Sequence, residues 1–348
     1  MKPFARGLVI GKFLPPHLGH HHLIDTASAQ SERLFVIVCA HPEQELPARV
    51  RVACLKERHP EADVRVVDDV VPGDDSAGWA AYTRRSLGFR PEAVFTSEDY
   101  GDPYAAALGA RHVLVDRARQ TVPCSGTMIR HDPLAHLEWL SPFMRALYVR
   151  RVCVVGAEST GTTTLAGQLA ERYATVWVPE YGREYCERKW KDGYTTEWST
   201  EEFLHIAAEQ SRREDEAARR AQRLLVCDTD AFATALWHQR YVGARSAAVE
   251  AIAAPRPADL YLLTGDEIPF VQDGTRDGEH VRHEMHEAFA QALVATGRRF
   301  VLLRGSREAR LTQAATCVEA LLREPVRPRA YLPTWNESES STLRPASG

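Results

Sequence analysis

Short runs of β-branched and apolar residues alternate along the first half of the chain with longer stretches of helical periodicity. These apolar runs lie at 7–13, 34–40, 63–70, 93–98 and 111–116. Most of the segments between them are long enough to form a crossover helix. Continuous apolar strands separated by helices predict a parallel sheet that is covered on both faces.

The same alternation starts again after residue 150. Five further apolar runs lie at 151–159, 175–182, 223–230, 259–265 and 298–305. Ser199 and Glu202 have the spacing of a capping box at the start of a helical stretch over 201–222. We therefore predict two tandem three-layer α/β domains with parallel sheets, over 1–145 and 146–325. The remainder, 326–348, is rich in Pro and Ser and is expected to be a mostly disordered tail.

Composition narrows the class of protein. A length of 348 residues suits about two domains, and 44% hydrophobic with 26% charged residues excludes a disordered or collagen-like chain. The formal net charge of −4 provides no field that would hold the protein on nucleic acid. Seven cysteines without a CxxC pair indicate reduced thiols rather than a zinc ribbon. With no signal peptide and no membrane-length apolar run, we expect a cytoplasmic protein without membrane association.

The first chemical motif is GKFLPPHLGH at 11–20, which follows the first predicted strand. Gly11 permits a tight exit from that strand, and His17 and His20 are spaced to face an anion at the start of a helix. A histidine-rich turn or metal tract is the alternative, since His21 and His22 follow directly.

This run resembles the nucleotidyltransferase superfamily that carries an (H/T)xGH signature. That superfamily has a second element, an SxTxxR-like turn, and SGTMIR at 125–130 fits it. On its own this turn would be a helix N-cap with a surface arginine. The predicted ATP-binding residues of the two motifs are Gly11, Phe13, Gly19, Ser125, Gly126 and Thr127.

The reaction expected at such a site is adenylyl transfer, in which an acceptor phosphate attacks the α-phosphorus of ATP. The acceptor is already ionised, so positioning and charge neutralisation would provide most of the catalysis. His17 and His20 are predicted to contact the phosphates and to stabilise the pentavalent state. Lys12, Ser125, Thr127 and Arg130 are predicted to hold the triphosphate, with Mg²⁺ bridging phosphates through few protein ligands.

A second phosphate-binding motif, GAESTGTT at 156–163, matches a P-loop except that Thr162 stands in place of the lysine. Its backbone would still cradle phosphates, but the missing charge removes transition-state stabilisation. The candidate residues of this loop are Gly156, Glu158, Ser159, Thr160, Gly161, Thr162 and Thr163.

Acidic and basic residues further along extend this second candidate site. Asp228 and Asp230 end a buried run as in a Walker B strand, and Thr163 with Asp228 would hold Mg²⁺. Helix capping is the alternative for these aspartates. The polar run 271–278, with Arg276 inside it and Arg282 after it, suits a lid whose arginines close over phosphates, or a plain loop.

The two motif sets, in this order, resemble the bifunctional nicotinamide mononucleotide (NMN) adenylyltransferase/ribosylnicotinamide kinase family over roughly residues 7–322. Supporting runs lie at 95–101, 115–130, 178–185, 227–234 and 271–278. The resemblance implies transfer of AMP from ATP to NMN, which gives NAD and pyrophosphate, and phosphorylation of nicotinamide riboside by the second domain.

The resemblance also suggests roles for single residues. Trp79 would stack on the nicotinamide ring or anchor a loop, and Arg49 would be a substrate-binding or a structural arginine. Glu180 and Arg183 would contact riboside or phosphate in the second domain. Small nucleotides are the expected partners, and a homo-oligomer follows only by analogy.

Two features depart from that family. Thr162 puts kinase turnover in doubt. The chain begins almost at the first strand, so we expect no helix-turn-helix domain and no binding to a DNA operator. Two alternatives remain open: an NAD- or ATP-sensing regulatory protein with an inert P-loop domain, or another nucleotidyltransferase of the same superfamily, acting on phosphopantetheine or a CTP-activated alcohol phosphate.

Overall fold

The computed structural model describes residues 2–71, 75–191, 197–271 and 279–329. The chain divides into two compact units, of which unit 1 comprises Met1–Leu147 with Arg327–Gly348 and unit 2 comprises Tyr148–Val326. Most of the predicted tail, from residue 330 onwards, lies outside the described residues.

Unit 1 is built on one parallel sheet of five strands in the order β3-β2-β1-β4-β5. The strands are β1 (Phe4–Gly11), β2 (Ser31–Ala40), β3 (Asp63–Asp68), β4 (Ala93–Thr96) and β5 (Arg111–Leu114). The helices are α1 (Leu18–Gln30), α2 (Ala48–Arg58), α3 (Ser76–Leu87), α4 (Gly101–Leu108), α5 (Gly126–His131) and α6 (Pro142–Tyr148). Two 3-10 turns, Pro133–Ala135 and Leu137–Trp139, precede α6.

Successive residues of the central strand β1 point to opposite faces of this sheet. Val9 packs in one hydrophobic cluster with Ile24, while Leu8 packs in another with Leu108. Both faces are therefore covered, which explains why the strand is a continuous apolar run rather than an alternating one.

Unit 2 repeats this architecture with a parallel sheet in the order β10-β9-β6-β8-β7. The strands are β6 (Arg150–Val155), β7 (Trp177–Val178), β8 (Leu224–Asp228), β9 (Leu260–Thr264) and β10 (Phe300–Leu303). The helices are α7 (Thr162–Arg172), α8 (Tyr181–Lys191), α9 (Thr200–Ala218), α10 (Ala231–Val242), α11 (Ala247–Ala253), α12 (Glu279–Ala295) and α13 (Arg307–Arg323). Each of the ten strands lies on a predicted apolar run, and the predicted fold class is confirmed.

Helix α9 shows how local sequence sets an element boundary. The Ser199 hydroxyl accepts from the backbone of Glu202, and the Glu202 carboxylate accepts from the backbone of Ser199, which confirms the capping box. Within the described ranges no helix is both long and apolar enough to cross a membrane.

Both candidate phosphate-binding motifs follow the central strand of their sheet. Strand β1 lies between β2 and β4, and β6 lies between β9 and β8. In each sheet the chain first adds strands on one side of the central strand and then crosses to add strands on its other side. A crevice opens at the carboxyl end of the strand at such a switch point, where α/β proteins bind ligands. Fold topology thus positions a candidate site in each unit.

Two candidate nucleotide sites

His17 forms the N-cap of α1 in unit 1. Its Nδ1 accepts hydrogen bonds from the backbone nitrogens of Gly19, at 3.1 Å, and His20, at 3.4 Å. Backbone amides only donate, so Nδ1 must be unprotonated and the ring proton resides on Nε2. Burial, with the charges of Arg119 and Arg130, lowers the pKa of His17 to about 4. At neutral pH this ring is uncharged and offers one N–H donor.

His20 stacks on His17 with ring centroids 3.7 Å apart and meets the Phe13 ring nearly edge-on. Burial and the neighbouring His17 hold the pKa of His20 well below its ordinary value. Its Nδ1 is buried and has no hydrogen-bond partner among the described residues. Buried polar atoms are nearly always paired in folded proteins, so this nitrogen calls for a ligand or an ordered water.

The two predicted motifs of unit 1 face a single cleft of about 720 Å³. Ser125 caps α5 by accepting from the backbone nitrogen of Met128, while Arg130 donates to the Leu14 carbonyl and to Thr127 Oγ1. Every predicted catalytic and ATP-binding residue of this unit lines the cleft, namely Gly11, Lys12, Phe13, His17, Gly19, His20, Ser125, Gly126, Thr127 and Arg130.

A smaller cavity of about 340 Å³ adjoins this cleft and contains the predicted Trp79. Both cavities share Ile10, Gly11, Lys12 and Tyr100 in their linings. Lys12 Nζ lies 3.0 Å from Asp69 Oδ2, and Asp69 also lines the smaller cavity. Lys12 therefore stands where a ligand in one cavity would meet a ligand in the other.

Arg49, for which the sequence leaves a substrate-binding and a structural role open, lines neither cavity. The fully buried arginine of α2 is Arg51, which donates to the carbonyl of Cys39 at 3.0 Å and to Gln44 Oε1 at 2.6 Å. Arg51 ties the end of β2 to the loop that follows it. Residues two apart on a helix point in different directions, so the orientation of α2 decides which of the two arginines faces inward. The sequence of this segment alone does not show that orientation.

Sequence reasoning missed Arg119, which also lines the main cleft. Its Nη2 lies 3.0 Å from Glu98 Oε1, and its charge contributes to the low pKa of both His17 and His20. The only sequence signal was the basic run before SGTMIR, in which Arg117 and Arg119 are indistinguishable.

In unit 2 the P-loop lines a cavity of about 350 Å³. Thr163 Oγ1 donates to Asp228 Oδ2 at 2.6 Å, so the predicted metal-binding pair is in contact. Position 161 favours glycine because its φ is +83°, a left-handed conformation that other residues seldom adopt. Thr160 is buried behind the loop, where its hydroxyl donates to the Ala157 carbonyl. The other predicted loop residues line the cavity, namely Gly156, Glu158, Ser159, Gly161, Thr162 and Thr163.

The same cavity is rich in carboxylates. Glu158, Glu180 and Asp228 line it, with Arg183 as the basic side chain in the described part of its lining. Burial, followed by the charge of Asp228, raises the pKa of Glu180 to about 8, and burial also raises the pKa of Asp228. Glu180 is therefore mostly protonated at neutral pH, and without the usual lysine Arg183 is the cation that the described lining offers to a phosphate.

Aromatic rings that no motif predicted form another part of the cavity wall. Trp198, Phe203, Trp237 and Tyr241 line it. Trp198 has ring centroids 5.2 Å from Phe203 and 5.5 Å from Tyr241. Such a wall suits a flat ring, and a positively charged ring above all, because aromatic faces attract cations.

Two predictions for unit 2 are corrected by the structure. Asp230 does not line the cavity: it caps α10 by accepting from the Ala233 backbone at 3.0 Å, and it accepts from the Tyr261 hydroxyl at 2.7 Å. Arg282 is buried and donates to the carbonyls of Asp266 and Ile268, so it fixes a loop rather than reaching phosphates. The predicted lid arginine, Arg276, lies outside the described residues.

The donors present fit a magnesium ion that is held mainly by a nucleotide. Thr163 and Asp228 supply oxygen ligands, which Mg²⁺ prefers, but no group of three or more acidic, histidine or cysteine side chains in the described ranges would hold a metal ion. Phosphates and water would have to complete the shell. The histidine tract of α1 does not converge on a metal, since His21 Nδ1 meets His59 Nε2 at 2.9 Å.

Known proteins resemble this chain in sequence and in fold. A family model described as an AAA domain matches residues 151–310. The chain is 28% identical over 294 residues to the trifunctional NAD biosynthesis/regulator protein NadR of Escherichia coli (strain K12), which covers 78% of this chain and 71% of the relative. NadR of Salmonella typhimurium matches with the same identity and coverage.

Two solved structures of NadR are similar in fold to most of this chain. A crystal structure of NadR in complex with NR superposes with a TM-score of 0.73 at 22% identity and covers 94% of this chain and 98% of its own. A second one, in complex with NAD and AMP-PNP, has a TM-score of 0.73 at 21% identity and covers 92% and 97%. This chain is thus similar in architecture to proteins that carry both α/β units.

Proposed function

We propose that unit 1 transfers AMP from ATP to nicotinamide mononucleotide, which gives NAD and pyrophosphate. The observation that carries this proposal is the shared wall of its two cavities. The larger one has the donors for a triphosphate, the smaller one has Trp79 for a flat ring, and Lys12 stands between them. Two ligands bound in this way would bring their phosphates together at Lys12.

The chain's own groups account for the chemistry. A phosphate oxygen of NMN attacks the α-phosphorus of ATP, a new P–O bond forms, and the bond to the β-phosphate breaks with its electron pair leaving on pyrophosphate. His17 and Arg130 both line the cleft, and the Nε2–H of His17 and the guanidinium of Arg130 would hold the extra negative charge that develops. No side chain has to remove a proton, because the attacking oxygen is already ionised. Mg²⁺ that arrives with ATP would supply further neutralisation of the phosphate charge.

Lys12 forms an ion pair with Asp69, in which Lys12 is 64% exposed and Asp69 is 15% exposed. Ion pairs near the surface contribute about 0–1 kcal/mol, and the exposed ammonium group of Lys12 is accessible to an arriving phosphate. Lys12 would then bridge donor and acceptor, and its loss would weaken the binding of both substrates.

The test is direct assay of the full chain with Mg-ATP and NMN, following NAD and pyrophosphate. Failure to form NAD would exclude this proposal. His20→Ala should lower turnover more than it lowers ATP binding, since His20 contributes to the charge-developing state. His131→Ala, at an exposed position of α5, is the matched control and should behave as the unaltered protein.

For unit 2 we infer a binding site for nicotinamide riboside, whose ring is a flat cation. The aromatic wall of the cavity supports this assignment, because aromatic faces attract cations, and the NadR structures in complex with NR and AMP-PNP support a nucleoside and a nucleotide in this fold. Transfer of the γ-phosphate to the riboside is expected to be slow, because Thr162 brings no charge to the phosphates.

A regulatory role for unit 2 is the second candidate. Asp228 is hydrogen-bonded by Thr163 and also by the Thr162 hydroxyl, so the loop occupies the carboxylate that would otherwise serve a metal ion. Binding of riboside or ATP without formation of NMN would favour such a sensor. Formation of NMN at an ordinary kinase rate would show that another group replaces the lysine.

A further inference from the structure

We propose that Arg119 is a further phosphate-binding residue of unit 1, which exchanges its present partner, Glu98, for the triphosphate when ATP enters the cleft. This inference rests on the proposed function of unit 1 and extends it. No motif assigned a role to Arg119, and its placement comes entirely from the loop between β5 and α5.

The loop that carries Arg119 is a fixed structure. The carboxylate of Asp116 accepts from the backbone nitrogens of Gln120 at 2.8 Å, Thr121 at 3.1 Å and Val122 at 3.1 Å. Arg119 itself has a φ of +51°, in the left-handed region that a side chain other than glycine seldom adopts. Strained backbone of this kind persists when the surroundings impose it, and it concentrates at functional sites.

The guanidinium of Arg119 is placed to act on the cleft. It lines the cleft together with Ser125 and Arg130, and its charge lowers the pKa of His17 and of His20. The charged and titratable groups that act on these two rings are Arg119, Arg130, His21 and the rings themselves. A triphosphate that binds to His17 would thus be attracted electrostatically by the positive charge of Arg119.

The present partner of Arg119 holds it weakly. Glu98 lies 3.0 Å away, and both side chains are roughly half exposed. A pair of this exposure contributes about as little as other surface ion pairs, whereas a phosphate offers an arginine two charge-assisted hydrogen bonds. Exchange of Glu98 for a phosphate oxygen is therefore favourable, and it requires movement of one side chain only.

Arg117 offers a matched comparison on the same loop. It pairs with Asp99 at 2.7 Å, is 60% exposed, and does not line the cleft. The two arginines thus have the same charge and the same kind of partner, and they differ in their access to the proposed triphosphate site.

The experiment compares Arg119→Ala, Arg119→Lys and Arg117→Ala in the full chain, with Mg-ATP binding measured by calorimetry without NMN and NAD formation measured at varied ATP. We expect Arg119→Ala to raise the KM for ATP and its dissociation constant by about tenfold or more, since charged hydrogen bonds are lost. Arg119→Lys should give an intermediate dissociation constant, because lysine keeps the positive charge and lacks the paired N–H donors of the guanidinium. Arg117→Ala should stay within about twofold of the unaltered protein.

The pH dependence of turnover provides a second readout, which a merely structural role would not change. Removing the Arg119 charge should raise the pKa of His17, so the acid limb of the pH–rate profile should move to higher pH. Arg117→Ala should leave this limb in place. Glu98→Gln, which frees Arg119 without removing it, should bind ATP at least as tightly as the unaltered protein.

Equal ATP affinities for Arg119→Ala and Arg117→Ala would overturn the proposal, as would a chain that binds no ATP in unit 1. If the chain binds ATP but forms no NAD, the calorimetric comparison still decides the role of Arg119, while the proposed reaction fails by itself. If Arg119→Ala does not fold, Arg119→Lys compared with Arg117→Lys decides the question in the same way.

Discussion

Gly19, within the HLGH run, is required for a reason that the structure makes specific. A Cβ added at Gly19 would lie 3.0 Å from Cε1 and 3.1 Å from Nδ1 of His17. The backbone there is ordinary helix, so conformational freedom is not the issue and space is. Gly19→Ala should therefore push the His17 ring away from the amides that hold it.

The ring has little room to retreat. It stacks on His20 at 3.7 Å, and its Nδ1 lies 3.3 Å from Cys124 Sγ. Overpacking in such a place costs about 1–3 kcal/mol of folding free energy, while alanine regains about 1 kcal/mol of helix propensity. We expect a net loss of stability of about 0–2 kcal/mol. A misdirected Nε2–H should lower turnover by about 10- to 100-fold, which corresponds to about 1.4–2.7 kcal/mol of barrier.

The assay is the initial rate of NAD formation at saturating Mg-ATP and NMN, with a thermal melt of each variant. Gly167→Ala in α7 is the control, because an added Cβ there meets nothing within 4 Å. It should leave the rate unchanged and raise stability by up to about 1 kcal/mol. A Gly19→Ala protein that melts and turns over as the unaltered chain does would refute the argument that His17 must keep its position.

The remaining predictions concern charge. Since the pKa of Glu180 rises from 4.5 to about 8 on folding, the folded chain binds more protons than the unfolded chain in this window, so stability should fall as pH rises through it. Glu180→Gln should flatten that part of a melting-temperature profile. The pKa of His17 falls from 6.5 to about 4 on folding, so the folded chain should lose stability as pH drops through that range. His17→Asn, which keeps a capping acceptor, should reduce this loss. An unaltered dependence of melting temperature on pH in this variant would contradict the lowered pKa. Asp228→Asn should abolish any riboside phosphorylation with little change in melting temperature. Asp230→Asn should mainly lower the melting temperature, because Asp230 caps a helix and accepts from Tyr261. The reverse pattern would contradict the helix-capping role of Asp230. Thr162→Lys should increase NMN formation from riboside, and no gain would show that further residues of the site have been lost.

The sequence by itself determined the fold class and the position of the two candidate phosphate-binding loops. Buried parallel strands are continuous apolar runs, and the turn after the central strand of each unit contains glycine and polar residues. Both features can therefore be recognised from the sequence. The apolar runs at 7–13 and 151–159 predicted the strands that the structure shows as β1 and β6, and GKFLPPHLGH with SGTMIR gave residues that line one cleft.

Only the tertiary structure decided the roles of charged residues that share a local pattern. Asp228 and Asp230 lie two residues apart, yet one faces the P-loop and the other caps a helix beside Tyr261. Arg117 and Arg119 are likewise alike in sequence, and only the fold of their loop turns one of them toward the cleft. The aromatic wall of unit 2 comes from α9, α10 and the residues before them, so no spacing rule could have assembled it. Local patterns report what a strand or turn requires of its own residues, whereas the partner of a side chain depends on elements that are distant along the chain.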